Sequence, residues 1–409
     1  MQSQEYRSTN NKIKCEVIIV GAGPAGMMAA ISAACKGSQV IIIEQKDIPG
    51  KKIYATGNGR CNFTNQYFDS RVFRGEYPQF AYDAYKKFDK DALINFMHDL
   101  GITCRDINGY IYPYNEQARS IANALVYECN RLGIDIRCSE KVLDIAQEEA
   151  DTEGVFLVTT DKDIYSCEKL IIAPGGKASP THGSDGNLNK IIRKFGHEII
   201  LQDPALVPLR FADSSLSVLA GVRCKCKTVL IIDGSETDEE SGEIIFNNDN
   251  ISGIPVMQMS RYAVKALSKG GRVLLELDLA PDMSESELKG FIETSIEKRS
   301  GIHEALGLIL NDKLAEYICE RTKDTDELIR FIKHFRIEIN GDCGFNKAQV
   351  TAGGVNVGQV TENMESKIIS GLFFAGEILD VDGTCGGYNL QWAFTSGYLA
   401  GSAAATLPS

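Results

Sequence analysis

Six residues near the start of the chain have the types and spacing to hold phosphate. Gly21-Ala22-Gly23-Pro24-Ala25-Gly26 follows the apolar run Val17–Val20 and opens a stretch of small residues, Met27–Cys35. In a G-x-G-x-x-G turn, the first glycine allows the tight turn and the second lets backbone approach a pyrophosphate. The third lets helix and strand pack closely. The helix N-terminus offers N–H groups and a positive dipole end to an anion. A second apolar run, Val40–Ile43, ends at Glu44, 18 residues after Gly26, with Gln45 next. A carboxylate there accepts hydrogen bonds from a ribose diol and repels a 2′-phosphate. Within this strand–turn–helix–strand context the motif reads as a dinucleotide site rather than as a connecting turn.

Two further glycine clusters turn the choice of dinucleotide towards FAD. The run Gly371–Gly376 ends in Gly376-Glu377, and Asp380-Val381-Asp382-Gly383 follows. Then comes Gly386-Gly387-Tyr388-Asn389-Leu390-Gln391, leading into a helix with Ala393, Gly397, Ala400 and Gly401 on its packing faces. A returning segment of this kind suits an extended FAD, which runs from the first turn to a second helix N-terminus beneath its ring. That N-terminus stabilises negative charge on the reduced ring. The middle element, Ile171-Ile172-Ala173-Pro174-Gly175-Gly176, resembles the Ala-Thr-Gly-Gly strand end of two-dinucleotide-type flavoproteins. Pro174 stands where threonine is usual, so a side-chain hydrogen bond is lost.

The loop Lys51-Lys52-Ile53-Tyr54-Ala55-Thr56-Gly57-Asn58-Gly59-Arg60-Cys61-Asn62-Phe63-Thr64-Asn65 resembles the signature of the BaiN/YhiN-type (aminoacetone oxidase-like) flavoproteins. Val350–Val355 and Gly386–Gln391 do so too, and the resemblance spans residues 14–405. It implies a Rossmann-type FAD-binding α/β domain interrupted by a β-barrel-like insert that carries helices. It also implies oxidoreductase activity, as in members that reduce steroid-type enones or oxidise amines. Thr384 and Cys385 stand where some members carry bulkier residues. The positions expected at the cofactor are Gly21, Gly23, Pro24, Ala25, Gly26, Glu44, Gln45, Lys52, Asn58, Arg60, Cys61, Asn62, Val142, Ala173, Gly175, Gly176, Gly376, Glu377, Gly387, Asn389 and Leu390.

Several side chains carry two readings. Arg60 would bind the pyrophosphate or a substrate carboxylate, or hold its own loop by hydrogen bonds. Cys61 and Cys385 fall in loops expected near the flavin, but the C-x4-C spacing of disulfide reductases is absent, so both read as small packing residues. Tyr388 is the candidate catalytic residue, a proton donor over the ring, and equally a packing aromatic at a helix start. Asp380 and Asp382 would line an amine pocket or brace their loop. The five histidines show no metal spacing, and no metal site is expected. His182, the one near a flavin-side loop, reads as a loop brace. Cys224 and Cys226 share a strand face, where metal or redox use competes with the simpler reading of two half-buried thiols. A second strand–GxGxxG–helix unit is absent, so NAD(P)H would dock directly at the flavin, or another donor or oxygen would serve.

The elements that position these residues follow from pattern. The β-branched runs without alternation predict parallel strands buried on both faces. Helices are expected over residues 91–100 and 118–132, and strands over 134–137, 141–145, 155–160 and 169–173. Residues 50–80 read as a long functional loop. Residues 1–13 read as a disordered tail without the apolar core of a signal peptide. The FAD-binding domain is expected over 14–196 and 346–409, with an insert over 197–345. The insert reads as β over about 197–254, around an acidic turn at Ser235–Gly242, and as helical over about 255–335. With 409 residues and 44% hydrophobic content the chain can bury a large core. A net charge of -12 without a basic tract argues against nucleic acid and anionic membrane surfaces. No apolar run reaches spanning length, and scattered cysteines suit a reducing, cytoplasmic setting. The oligomeric state stays open. The reading is an FAD-dependent oxidoreductase moving hydride between flavin N5 and a small or medium apolar organic substrate, such as a steroid-type enone. Its alternatives are a peroxide-forming amine oxidase and a non-catalytic flavin-binding redox sensor.

Overall fold

The computed structural model describes residues 12–148, 155–298 and 301–405, which form two compact units. One unit runs up to Gln202 and resumes at Val350; the other is Asp203–Gln349.

Among the described residues the first unit is built on a seven-stranded sheet. Asp135–Arg137, Val40–Ile43, Ile13–Val20 and Ile164–Ile172 lie side by side in parallel, and Leu372–Phe374 also pairs in parallel with Ile164–Ile172. Val155–Thr160 and Val142–Glu148 continue the other edge antiparallel. Val17–Val20 and Val40–Ile43 are buried throughout, as unbroken β-branched runs covered on both faces should be. Of the tail expected over residues 1–13, residues 1–11 lie outside the described residues, while Ile13 already pairs with Tyr165.

Two helices cross on this sheet. Pro24–Ala34 opens from the glycine turn, and Tyr388–Ala404 packs along it. Their contact is backbone to backbone. A Cβ at Gly397 would lie 2.4 Å from the Ala25 carbonyl oxygen, and one at Gly401 would lie 2.1 Å from that of Ala29. The small residues of both helices are therefore a packing requirement.

The second unit contains a closed antiparallel barrel, in the order Leu209–Phe211, Asn250–Gly253, Ser235–Phe246, Arg223–Ile232, Val273–Asp278 and Phe335–Asp342. Helices such as Ile254–Ser268 and Glu285–Lys298 accompany it. Two expectations are corrected here. The acidic run Ser235–Gly242 is a strand, not a turn. The turn is Asp233-Gly234, with φ of 51° and 85°, the left-handed pair that a two-residue hairpin demands. The acidic strand is tolerated because it lies opposite a basic one, with Lys227 Nζ 2.9 Å from Glu239 and Arg223 3.1 Å from Glu243. The stretch 255–335 is not all helix either. Val273–Asp278 alternates buried and half-buried residues and pairs with Arg223–Ile232. No helix among the described residues is long and apolar enough to cross a membrane.

Candidate functional site

The glycine turn is crowded on two sides and open on the third. A Cβ at Gly21 would lie 2.4 Å from the Ala173 carbonyl oxygen, and one at Gly26 would lie 1.9 Å from that of Gly21. At Gly23 nothing lies within 4 Å of the same construction. The turn thus holds open a space at the start of Pro24–Ala34, a helix with Pro24 in its first turn and no side-chain cap at Gly23. Glu44 closes one side. Its Oε2 accepts from Ala22 N at 2.7 Å and its Oε1 from Lys46 N at 2.8 Å, while burial pushes its carboxyl up. Gln45 Nε2 donates to the Gly183 carbonyl, which ties the 180–186 loop to the same strand end. Val142 is buried and opens its strand opposite Thr160.

A second cluster joins the two ends of the chain. Lys52 Nζ lies 2.5 Å from Glu377 Oε2, both half-buried. Glu377 Oε1 accepts from Thr351 N at 2.9 Å, and the Thr351 hydroxyl oxygen accepts from Lys177 N at 2.8 Å and Ala178 N at 2.9 Å. Gly176 is required here, since its Cβ would lie 2.4 Å from Thr351 Oγ1, and a Cβ at Gly175 would lie 2.5 Å from Ser184 Oγ. Thr351 is the residue that pattern reading missed. It stands in the quoted Val350–Val355 motif, but nothing local marks a hydroxyl that bridges a loop 174 residues away. Gly376 N donates to Ser396 Oγ at 2.9 Å, and Trp392 Nε1 donates to the Gly376 carbonyl at 3.1 Å.

The start of Tyr388–Ala404 is held from two directions. Asn389 clasps Gly383 through both N and O at 2.8 Å. Asn62 Nδ2 donates to the Thr64 and Ile111 carbonyls, and Asn65 Nδ2 to the Gly386 carbonyl. Gly387, at φ 90°, has no room for a side chain, with Asn62 Oδ1 and the Thr64 backbone 2.8 Å from its Cβ position. Leu390 is half-buried in the first turn of the helix. The Tyr388 hydroxyl donates to the Tyr67 carbonyl at 2.8 Å, its ring stands edge-on to Phe68, and burial pushes its phenol up to about 12.

Arg60 forms an ion pair with Glu116 and lies 4.5 Å over the Tyr112 ring. Asn58 takes a left-handed φ of 55° at the kink in Ile53–Gly59. Cys61 is fully buried and burial pushes its thiol up to about 12, so it stays protonated; Cys385 is half-buried and in no disulfide. Asp380 is buried and accepts from Glu76 N at 2.8 Å, and Asp382 is buried in a short strand against Phe73–Arg74. Burial, then the charges of Lys52, Lys51 and Lys46, hold His182 below its usual range.

These features fit FAD. There is room beside Gly23 for a phosphate, Glu44 ends the neighbouring strand, and the Gly386-Gly387 turn presents a second helix N-terminus.

Comparison with known proteins points the same way. The family described as "HI0933-like protein Rossmann domain" matches residues 15–403. A protein of Clostridium scindens named 3-dehydro-bile acid delta(4,6)-reductase is 37% identical over 408 residues, covering 95% of this chain and 99% of that one. The ribosomal RNA dihydrouridine synthase of Escherichia coli is 30% identical over 396 residues, covering 94% and 96%. Among solved structures, 3-ketosteroid-delta4-(5alpha)-dehydrogenase from Rhodococcus jostii RHA1 superposes with a TM-score of 0.51 at 14% identity, covering 99% of each chain, a likeness of fold.

Proposed function

The chain belongs to the HI0933-like family, and from that premise we propose that it is an FAD-dependent reductase of a carbon–carbon double bond conjugated to a carbonyl. The observation that carries this reading is the pair of glycine turns, Gly21–Gly26 and Gly386–Gly387, brought together by helices in backbone contact at Gly397 and Gly401. One turn suits phosphates, the other a ring that gains negative charge. The relatives' names agree on the bond. A 4,6-unsaturated 3-oxo steroid and a uracil both present an alkene conjugated to a carbonyl.

Bound FAD supplies the hydride at N5. The protein's own part is to hold and to protonate. Lys52 and Glu377 fix the loop against the Gly376 strand end, and Asn389 fixes Gly383. Tyr388 is the proton donor of this reading. Its phenol keeps its proton across the neutral range, and delivery to the substrate α-carbon exchanges its hydrogen bond to Tyr67. NAD(P)H is the proposed electron donor, docking directly at the ring.

A steroid-type enone is the first substrate reading. A second, uracil in RNA, is favoured by one observation. Arg60 lies over Tyr112 and Arg105 lies 4.2 Å over the exposed Tyr114, two guanidinium–aromatic pairs close together in sequence at the strand Tyr110–Pro113. Incubation with NADPH and either a 3-oxo-4,6-diene steroid or uridine-containing RNA, followed by mass spectrometry, tests both. Addition of two hydrogens to one of them supports the reading; neither product refutes it.

A further inference from the structure

Gln391 is an amide with no exposed surface, on the helix Tyr388–Ala404. Gly387, Gln391 and Thr395 recur every four residues, so they share one face of that helix. A buried amide costs stability unless each of its polar atoms is bonded. Here each is. Gln391 Nε2 donates to the Phe88 carbonyl at 3.2 Å and to Thr395 Oγ1 at 3.0 Å, and Oε1 accepts from Thr64 Oγ1 at 2.6 Å. Thr395 Oγ1 donates to the same Phe88 carbonyl at 2.7 Å. Partner chemistry fixes every direction. A carbonyl only accepts, so Phe88 takes the Thr395 proton and one amide N–H, and the amide oxygen is left facing a Thr64 hydroxyl that must donate. Thr64 and Thr395 are fully buried too, and a closed network of this kind holds its members in one arrangement.

The network reaches the Gly386-Gly387 turn from two sides. Gln391 N donates to the Gly387 carbonyl at 3.0 Å within the helix. Its side chain holds Thr64, whose backbone N and O lie 2.8 Å from the Cβ position of Gly387. Beside Thr64, Asn62 Nδ2 donates to the Thr64 carbonyl at 2.9 Å and Asn65 Nδ2 to the Gly386 carbonyl at 3.0 Å. The short strand Thr64–Asn65 is thus the wall against which the turn rests, and the Thr64–Gln391 bond ties that wall to the body of the helix. Gly387 gives the helix no side-chain cap, so the place of the turn decides where the first-turn N–H groups point.

We propose that Gln391 is a positioning residue for the flavin ring: through Thr64 it sets the place of the Gly386-Gly387 turn and thereby the reduction potential of bound FAD. This rests on the reading of that turn as the helix N-terminus beneath the ring. A helix N-terminus stabilises negative charge only over about its first turn. A small displacement of the turn therefore weakens the hold on the reduced, anionic ring and leaves the neutral oxidised ring nearly unaffected. Thr395 bonds on the Phe88 side of the amide, away from the wall.

The test is the midpoint potential of the bound flavin, measured by dye-coupled reductive titration of the purified holoprotein with neither substrate nor nicotinamide present. Gln391→Met fills the space without hydrogen bonds. It should shift the midpoint negative by a factor of about ten in the oxidised-to-reduced equilibrium, about 30 mV for two electrons. Thr64→Val should give the same shift, and the double variant no more than either alone. Thr64→Ser, which keeps the hydroxyl, should keep the wild-type potential. Thr395→Val should lower the melting temperature with the potential unmoved. If Gln391→Met does not fold or loses FAD, Thr64→Val against Thr64→Ser decides alone. A wild-type potential in Gln391→Met or Thr64→Val, or an equal shift in Thr395→Val, would overturn the proposal. Because no turnover is read, failure to reduce an enone or a uracil leaves this result standing, and an unmoved potential leaves the reductase reading standing.

Discussion

Lys52 and Glu377 stand 325 residues apart in sequence, and Lys52 Nζ lies 2.5 Å from Glu377 Oε2 in the folded chain. The pair joins the loop after the first glycine turn to the strand end before the last helix. Because Glu377 also accepts from Thr351 N, it is braced from the other side. Charged hydrogen bonds of this kind contribute about 2 kcal/mol. A double-mutant cycle with Lys52→Met and Glu377→Gln, read by urea denaturation, should give a coupling of that size. A coupling of a few tenths would mark the pair as an ordinary surface contact.

The glycines divide into those that the packing requires and one, Gly23, that the proposed cofactor site requires. Gly397→Ala and Gly26→Ala place a methyl inside a backbone carbonyl contact, and each should cost about 1–3 kcal/mol or more. Gly23→Glu meets no protein atom within 4 Å of its Cβ. That variant should keep wild-type far-ultraviolet circular dichroism and be colourless. A yellow, fully loaded Gly23→Glu protein would refute the placement of the pyrophosphate.

His197 makes stability depend on pH. The Ser366 hydroxyl accepts from Ile368 N and Ile369 N, so its proton goes to His197 Nε2 and the ring is neutral. Burial holds the imidazole below its usual value of 6.5. As pH falls below 6.5 the unfolded chain takes up a proton that the folded chain refuses, so stability falls. Above that value the group adds no pH dependence. Denaturation at pH 7.5 and pH 5.5 should show a loss of about 1 kcal/mol that His197→Gln does not share. Equal losses in both proteins would assign the effect elsewhere.

Tyr388→Phe separates proton donor from brace. As a brace it loses one hydrogen bond, about 1 kcal/mol, with both half-reactions intact. As a donor it also slows substrate reduction, by about a hundredfold, while reduction of the flavin by its donor is unchanged. Stopped-flow measurement of the two half-reactions distinguishes these, and the second result is expected.

What was legible in sequence was local. Gly21 and Gly26 make the close contacts their spacing requires and Gly23 faces open space, because a strand–turn–helix is decided within thirty residues. The small residues of Tyr388–Ala404 were readable as a packing face for the same reason. What was not legible depended on distant partners. Val273–Asp278 is a strand because Arg223–Ile232 and Phe335–Asp342 flank it, and six residues amid helices carry too little pattern to say so. The acidic Ser235–Gly242 looked like a turn because its charges are balanced by a strand read separately. The ion pair of Arg60 was not legible because Glu116 lies 56 residues on. Thr351 gained its role only when the loop at Lys177 folded over it.

The proposed reaction needs a flavin that is reduced by one partner and reoxidised by a conjugated alkene. The purified protein, yellow with FAD, should be mixed anaerobically with NADH, NADPH and a panel of small amines, and its visible spectrum followed. Bleaching by a reduced nicotinamide, with colour restored by an α,β-unsaturated ketone before any air is admitted, is the predicted result. Bleaching by an amine alone, with hydrogen peroxide formed on admitting air, would contradict it, as would a flavin that none of these reagents reduces.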